Sequence, residues 1–467
     1  MGWVKNEIKT ANFGDARINK RVERILNELG DKPTYSIPQA CGDWGETVGA
    51  YRFFDNDKVN FDNILEPHKL ATLERIKAQK IVLLPQDTTE LIHVKTKGTK
   101  AGFGSLKETE KEEIFLHPVV AITPDRVPLG VVFAKYWSRP KKVVKAEQRK
   151  KPIEEKESFR WLEGYRAACE VQKQAPDSVI VSLADREGDI YEVFTEMDKY
   201  SPDERAAWII RCAQDRILEN EDDNERKIRQ KIENSPIFGT SSFIMPASGS
   251  RKARKVEQTI RATTVTLKPP KRAKEIGTLP IVSINIAYAK EENPPEGEPP
   301  IIWVLLTCLP ITTFAQVKRV LEWYVARWEI EIYFRVLKQG CTVEKLQFTE
   351  EKRFAACLAV YMIIAWRVLY ITMLGREYPN INCEAIFTKE EWQILYIIKG
   401  KSVPNEIPAL LPMVLMLGSF GGFLGRKHDK FPGAKSIWQG LQRLNDFVLA
   451  IQQYQASVQP KYKRPTY

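Results

Sequence analysis

Residues 324–338 read Y-V-A-R-W-E-I-E-I-Y-F-R-V-L-K, and their polar members recur at helical spacing. At 3.6 residues per turn, Tyr324, Arg327, Glu331, Arg335 and Lys338 fall within an arc of roughly 80°. Val325, Ala326, Ile330, Ile332, Val336 and Leu337 cover most of the other side. One carboxylate is thus set among a phenol and three cations, whereas a solvated helix face mixes its charges loosely as i,i+4 pairs. Such a stripe suits a divalent metal held beside a polyanion, which is what cutting a phosphodiester requires.

Two more carboxylates stand out by position. Asp87 follows the apolar run 81–84 through Pro85-Gln86, and Asp185 follows the run 178–183 in Ala184-Asp185-Arg186-Glu187-Gly188-Asp189. Three carboxylates from two strands and a helix can hold two divalent ions roughly 3.5–4 Å apart. One ion would activate a water or a 3′-hydroxyl while the other stabilises the leaving oxygen. Singly, each has a plainer reading: an Asp after a strand caps a helix or forms a turn, and a helical Glu faces water.

The partner classes are bounded by composition. Over 467 residues the net charge is +11, with basic runs at 139–151, 251–255 and 271–274, so a polyanion is favoured, nucleic acid before an anionic membrane. Seven scattered cysteines without a Cys-x-x-Cys pair argue for a reducing compartment and against zinc. The four histidines stand at no metal-ligand spacing, so a metal here must be hard and carboxylate-bound, Mg²⁺ or Mn²⁺ in its place. The opening M-G-W-V-K-N-E-I-K lacks a signal peptide's apolar core. Residues 354–374 are long and apolar with one central Arg367, which reads as a buried core helix rather than a membrane span.

These candidates need elements to position them. Residues 1–59 read as small helices, one at 15–29 with Ile18, Val22, Ile25, Leu26 and Leu29 in phase and another at 44–54. From residue 80 the pattern turns to strands: 81–84, a hairpin of 114–123 and 127–137, a helix at 158–172, and strands at 178–183 and 207–212. That order describes a mixed α/β sheet with acidic residues at the carboxyl ends of two strands, where such sheets place their sites. Residues 213–300 read as a β-rich insertion with strands at 258–267 and 281–289. The chain returns through a strand at 301–307 to a long helix at about 314–339. The remainder from about 379 is mostly helical, with a glycine-rich break at 418–425 that lacks the features of a phosphate loop. In 436–452, Ile437, Trp438, Leu441, Leu444 and Phe447 form a stripe, expected to pack on a second chain or to close the chain's own core.

The pattern Tyr324-x-x-Arg327-x-x-x-Glu331-x-x-x-x-x-x-Lys338 resembles the Tyr-Arg-Glu-Lys signature of cut-and-paste bacterial insertion-sequence transposases. Gln86-Asp87-Thr88-Thr89 and Asp185-Arg186-Glu187-Gly188-Asp189-Ile190 resemble the two Asp motifs of that family. Gly14-Asp15-Ala16-Arg17-Ile18-Asn19-Lys20-Arg21 and Gly49-Ala50-Tyr51-Arg52-Phe53 are similar to its terminal-repeat-binding module. The resemblance implies a ribonuclease-H-like mixed sheet with a β-rich insertion, flanked by an N-terminal helical DNA-end-binding domain (1–59) and a C-terminal helical dimerisation domain (379–467), the catalytic domain being 60–378. It implies Asp87, Asp185 and Glu331 as Mg²⁺ ligands, with Asp185 preferred over Glu187 and Asp189 because it follows the strand directly. Tyr324, Arg327, Arg335 and Lys338 would grip DNA phosphates, and Arg211, Trp328, Arg17, Arg21 and Arg52 would contact DNA. Trp303 would stack on a base flipped from the DNA end, although on sequence alone it reads as core.

The implied function is DNA cut-and-paste transposition in the bacterial cytoplasm: nicking, hairpin formation and opening, and joining to target DNA. The implied partners are terminal repeats, target DNA and a second copy of the chain in the paired-end complex, with no membrane. Two alternatives stay open. One is a structure-selective nuclease on the same fold, which would not need the long insertion or the stripe. The other is a catalytically inactive, transposase-derived repressor or inhibitor, disfavoured by the presence of all three carboxylates.

Overall fold

The computed structural model describes residues 2–94, 104–105, 111–139, 151–219, 222, 225–245, 253–270 and 279–458. The basic run at 271–274 lies outside the described residues, as do 140–150 and 251–252 of the other two runs.

The chain opens with α1 (Trp3–Glu7), α2 (Ala16–Asp31), α3 (Ile37–Cys41), α4 (Trp44–Phe54) and α5 (Phe61–Lys77). Asp15 ends the loop before α2 because its carboxylate accepts the Arg17 backbone N–H at 2.8 Å, and Asp43 caps α4 through the Glu46 N–H at 2.8 Å. Val22, Ile25, Leu26 and Leu29 are all buried, as their spacing predicts. No signal in the apolar periodicity marked α1 or α5, and Pro67 sits inside the latter.

Among the described residues, eleven strands form one sheet: β1 (Ile81–Pro85), β2 (Thr89–Val94), β3 (Gly104–Ser105), β4 (Lys111–Ile122), β5 (Pro128–Trp137), β6 (Val179–Ala184), β7 (Ala207–Arg211), β8 (Ile237–Met245), β9 (Arg254–Leu267), β10 (Val282–Glu291) and β11 (Ile302–Thr307). β1, Gln86 and β2 run along β4 in one antiparallel register, through Leu83↔Ile122, Gln86↔Val119 and Thr89↔Leu116. β5 takes the other edge of β4. On its far side β1 pairs in parallel with β6, and β6 with β7. The antiparallel series β11, β10, β9 and β8 then extends the sheet, so the expected insertion is joined to it edge to edge.

Helices cover both faces. Val82 and Leu84 of β1 pack with α6 (Phe159–Gln174), α7 (Tyr191–Glu196) and α8 (Ile228–Asn234), whereas Leu83 packs into the larger core formed with the C-terminal helices. Strand alternation therefore assigns a face to every position. Leu83, Val181, Leu183, Ile209 and Leu305 all face that larger core. Continuing the alternation puts Asp87, Asp185, Arg211 and Trp303 on the same face.

The expected single helix at 314–339 is a continuous helical path with two irregular turns. α9 (Phe314–Val325) passes through a 3₁₀ turn (Ala326–Trp328) into α10 (Glu329–Arg335) and ends in a π turn (Val336–Gly340). Ala326, Ile330, Val336 and Leu337 are buried as expected, while Val325 and Ile332 are only half-buried. α11 (Glu351–Glu377) follows; its most apolar window is 94% buried inside the protein, which accounts for its hydropathy without a membrane.

Against α11 pack α13 (Leu410–Phe420) and α14 (Ala434–Val458), and α12 (Lys389–Ile398) packs on both of these. Ile437, Trp438, Leu441 and Leu444 are all buried in this core. Gly440 lies so close to α13 that a Cβ there would meet the Leu417 carbonyl oxygen at 2.2 Å. The stripe expected to meet a second chain is thus occupied within its own, because α13 offers it an apolar partner. Leu449, Tyr454 and Val458 of α14 remain exposed.

Candidate active site

Asp87 sits where β1 breaks before β2, and Asp185 directly follows β6. Because Pro85 is registered with Leu183, the two aspartates occupy equivalent positions just beyond adjacent parallel strands. β11 runs antiparallel to β7 with Leu305 opposite Arg211, so Trp303 lies past the carboxyl end of β7, at the same end of the sheet. The stripe helix crosses this end.

Arg327 joins the pieces. Its Nη1 donates to Asp87 Oδ2 at 3.0 Å and its Nη2 to Glu331 Oε1 at 2.9 Å, while only 8% of its side chain is exposed. Burial pushes the Asp87 carboxyl up to about 6; the Thr88 N–H and Arg327 oppose the shift, and the charges of Asp185 and Glu331 add to it. Asp87 therefore feels the charge of both other candidate carboxylates. Beside them Arg327 Nε is buried with no hydrogen-bond partner among the described residues, and the buried Tyr324 hydroxyl lies close to the same guanidinium.

In the second motif the three acids are used differently. Asp189 is fully buried, accepts the Ala213 and Gln214 N–H groups at 2.7 Å each, and pairs with Arg216. Glu187 pairs with Arg160 Nη2 at 2.5 Å. Asp185 has no cation partner among the described residues; its carboxylate accepts the Glu187 N–H at 2.8 Å, the capping contact that the plainer reading assigns to such an Asp. Gly188 is required here, since a Cβ would meet the Ala184 Cβ at 2.5 Å.

Behind the aspartates runs a network whose members the sequence did not single out. Arg160 Nε donates to Thr88 Oγ1 at 2.7 Å, linking the loop after Asp87 to Glu187 of the second motif. Thr88 Oγ1 lies 2.9 Å from His117 Nδ1, His117 Nε2 lies 3.1 Å from Gln86 Oε1, and Gln86 Nε2 donates to Ser182 Oγ at 3.0 Å. Burial holds His117 well below its usual range, so the ring is neutral. Only one proton arrangement satisfies every member: Nε2–H donates to Gln86 Oε1, and Nδ1 accepts from Thr88, whose oxygen accepts from Arg160. Gln86 and Thr88, flanking Asp87, were the available signal for it.

The remaining candidates divide. Arg335 is exposed with no ion pair among the described residues, and Lys338 reaches Glu344 at 4.0 Å, whose carboxylate also accepts the Ile92 N–H at 3.0 Å. Trp328 is 48% exposed. Arg211 is near enough to Tyr324 for its charge to favour the phenolate, although burial is the larger influence and raises the phenol. Trp303 is half-buried and lies nearly parallel to Phe243, centroids 6.0 Å apart at 16°. In the N-terminal helices Arg17 is paired with Asp15 at 2.9 Å and Arg21 with Glu46 at 2.5 Å, while Arg52 is exposed and unpaired among the described residues.

Carboxylate oxygens are the donors that suit Mg²⁺ or Mn²⁺, and a cation would offset the charges of Asp185 and Glu331, which add to the burial that opposes ionisation of Asp87. As arranged, though, no three metal-ligating side chains among the described residues stand close enough to enclose an ion. Asp87 and Glu331 are instead held on a guanidinium. The donor types fit a hard ion; their present spacing is set by Arg327.

Comparison with known proteins bears on the two ends of the chain. Residues 1–59 match the family described as Transposase DNA-binding, and residues 363–459 match the family described as Transposase Tn5 dimerisation domain. Among solved structures, the chain is similar to piggyBac transposase in a synaptic complex with hairpin DNA, at a TM-score of 0.33 and 10% identity over 86% of this chain and 62% of that one. The chain thus spans less than two thirds of that protein, and a likeness at this level supports no inference about the site. A transposase DNA-binding domain and a Tn5 transposase dimerisation domain, matched in order on either side of the sheet, together support a Tn5-like transposase.

Proposed function

We propose that the protein is a DNA transposase of the Asp-Asp-Glu type, cutting transposon ends and joining them to target DNA in the bacterial cytoplasm. The observation that carries the reading is the convergence of Asp87 and Asp185, from adjacent parallel strands, on a helix whose Arg327 spans Asp87 and Glu331. The strand order β5-β4-β1-β6-β7, with β4 antiparallel and β6 and β7 parallel to β1, supports a ribonuclease-H-like catalytic domain over 60–378, with a β-rich insertion at about 213–300. Residues 1–59 would bind the terminal repeat, and 379–467 would join two chains when two ends are paired.

Asp87, Asp185 and Glu331 would hold Mg²⁺, or Mn²⁺ in its place, and the bound ion would supply Lewis acidity and lower the pKa of a bound water. The chain's own groups do the positioning. Arg160 holds the loops of the two aspartates against each other through Thr88 and Glu187. Tyr324, Arg327, Arg335, Lys338 and Arg211 would bind phosphates along the stripe, and Trp303 would receive a base extruded during hairpin formation.

A DNA duplex carrying whatever inverted repeats sequencing finds beside the gene tests this. Cleavage is expected with Mg²⁺ or Mn²⁺, and Asp87→Ala, Asp185→Ala and Glu331→Ala are each expected to abolish it while sparing binding. A variant that cleaves at the normal rate removes its residue from the site. A second reading, end binding without cleavage, is favoured by the absence of an enclosing carboxylate cluster among the described residues; wild-type protein that binds the repeats and never cuts them would establish it.

A further inference from the structure

We propose that Arg327 is the resident counter-cation of the carboxylate site and that a divalent metal enters only as its guanidinium leaves, which couples metal binding to DNA binding through one side chain. This rests on the reading of Asp87, Asp185 and Glu331 as metal ligands. An ordinary i,i+4 pair lies on a solvated face, and Arg327 does not. Its guanidinium bridges carboxylates from two separate elements, at 3.0 and 2.9 Å, with its side chain 8% exposed. It thereby engages two of the three carboxylates that would hold an ion. A guanidinium and a divalent cation cannot share that place, because like charges a few ångströms apart repel strongly where water is scarce.

The guanidinium cannot be released without a new partner, since an unpaired charge is costly to keep buried. The partner with matching chemistry is a phosphate, which arginine binds through two parallel N–H bonds. Arg327 Nε is already buried with no hydrogen-bond partner among the described residues, and Arg335, in no ion pair among the described residues, lies two turns along the same stripe, where it would draw the backbone of DNA toward the site. When DNA takes the guanidinium, the carboxylates are freed for the metal. By linkage, the metal in turn favours DNA binding by the same factor. Free enzyme is then poorly loaded with metal and protected from indiscriminate cutting.

The test is Mn²⁺ binding to the full chain without DNA, followed by calorimetry or by the signal of the free ion. Arg327→Gln is expected to bind Mn²⁺ roughly 5- to 150-fold tighter than wild type, the usual range of a coupling between sites, and Asp87→Asn is expected to erase the gain. A short duplex is expected to raise the affinity of the wild type but not that of Arg327→Gln. Arg327→Lys, which cannot fork across both carboxylates, is expected to give a smaller gain and stands in if the Gln variant does not fold. Folded variants that bind Mn²⁺ no tighter than wild type, while binding still depends on Asp87, overturn the coupling and leave the ligand reading intact. If no protein shows Asp87-dependent Mn²⁺ binding, the ligand reading fails and the coupling with it.

Discussion

Replacing Arg160 by Met keeps the aliphatic stem and removes the guanidinium's hydrogen bonds to both aspartate loops. The guanidinium donates to Thr88 Oγ1 at 2.7 Å, to the Glu157 carbonyl at 2.8 Å and to Glu187 at 2.5 Å, with 9% of the side chain exposed. A hydrogen bond from a charged donor contributes roughly 1.5–3 kcal/mol. The Glu187 pair adds about 0–1 kcal/mol, because that carboxylate is 62% exposed. Against these stands the desolvation of a nearly buried cation, which Met relieves. A net loss of about 2 kcal/mol is expected, or a melting shift of roughly 3 °C for a unit the size of the catalytic domain. Thr88→Val breaks the same link from the other side, so the double variant is expected to lose about 1–2 kcal/mol less than the sum of the single losses. Calorimetric melting of the four proteins measures this directly. Additive losses, or a shift below about 1 °C for Arg160→Met, would show that Arg160 does not organise the loops.

Two further outcomes follow from single side chains. Asp31 is raised from 3.8 to about 7, mainly by burial and next by the charge of Glu391; the folded state therefore holds its proton more tightly than the unfolded chain, and stability falls as pH rises through that window. Asp31→Asn is expected to remove this part of the decline between pH 4 and 7 in urea titrations, and an unchanged slope would refute the assignment. Trp303→Ala is expected to slow hairpin formation by roughly 5- to 150-fold, the rate equivalent of about 1–3 kcal/mol of base stacking, with the first nick nearly spared and an abasic site restoring the rate; equal slowing of both steps would make Trp303, with its neighbour Phe243, a core residue.

Local pattern was enough for much of the chain because its causes are local. Apolar spacing predicted α2 and α4, the runs before Asp87 and Asp185 predicted β1 and β6, and hydropathy with a lone Arg367 marked α11 as a core helix. The spacing of Tyr324, Arg327, Glu331, Arg335 and Lys338 likewise put them on one stripe, since 3.6 residues per turn needs no tertiary information. What a side chain meets across the fold is not local. The stripe helix could not reveal its 3₁₀ and π turns, nor that Arg327 turns inward to bridge Asp87, 240 positions away, while Arg335 stays in solvent. The Gln86–His117–Thr88–Arg160–Glu187 network joins the two neighbours of Asp87 to three residues distant in sequence, and nothing in their neighbourhoods says that they meet. The apolar face of α14 reads the same whether it meets another chain or its own; α13, close enough to require Gly440, decided it. Periodicity says which residues share a face, and only packing says what that face touches.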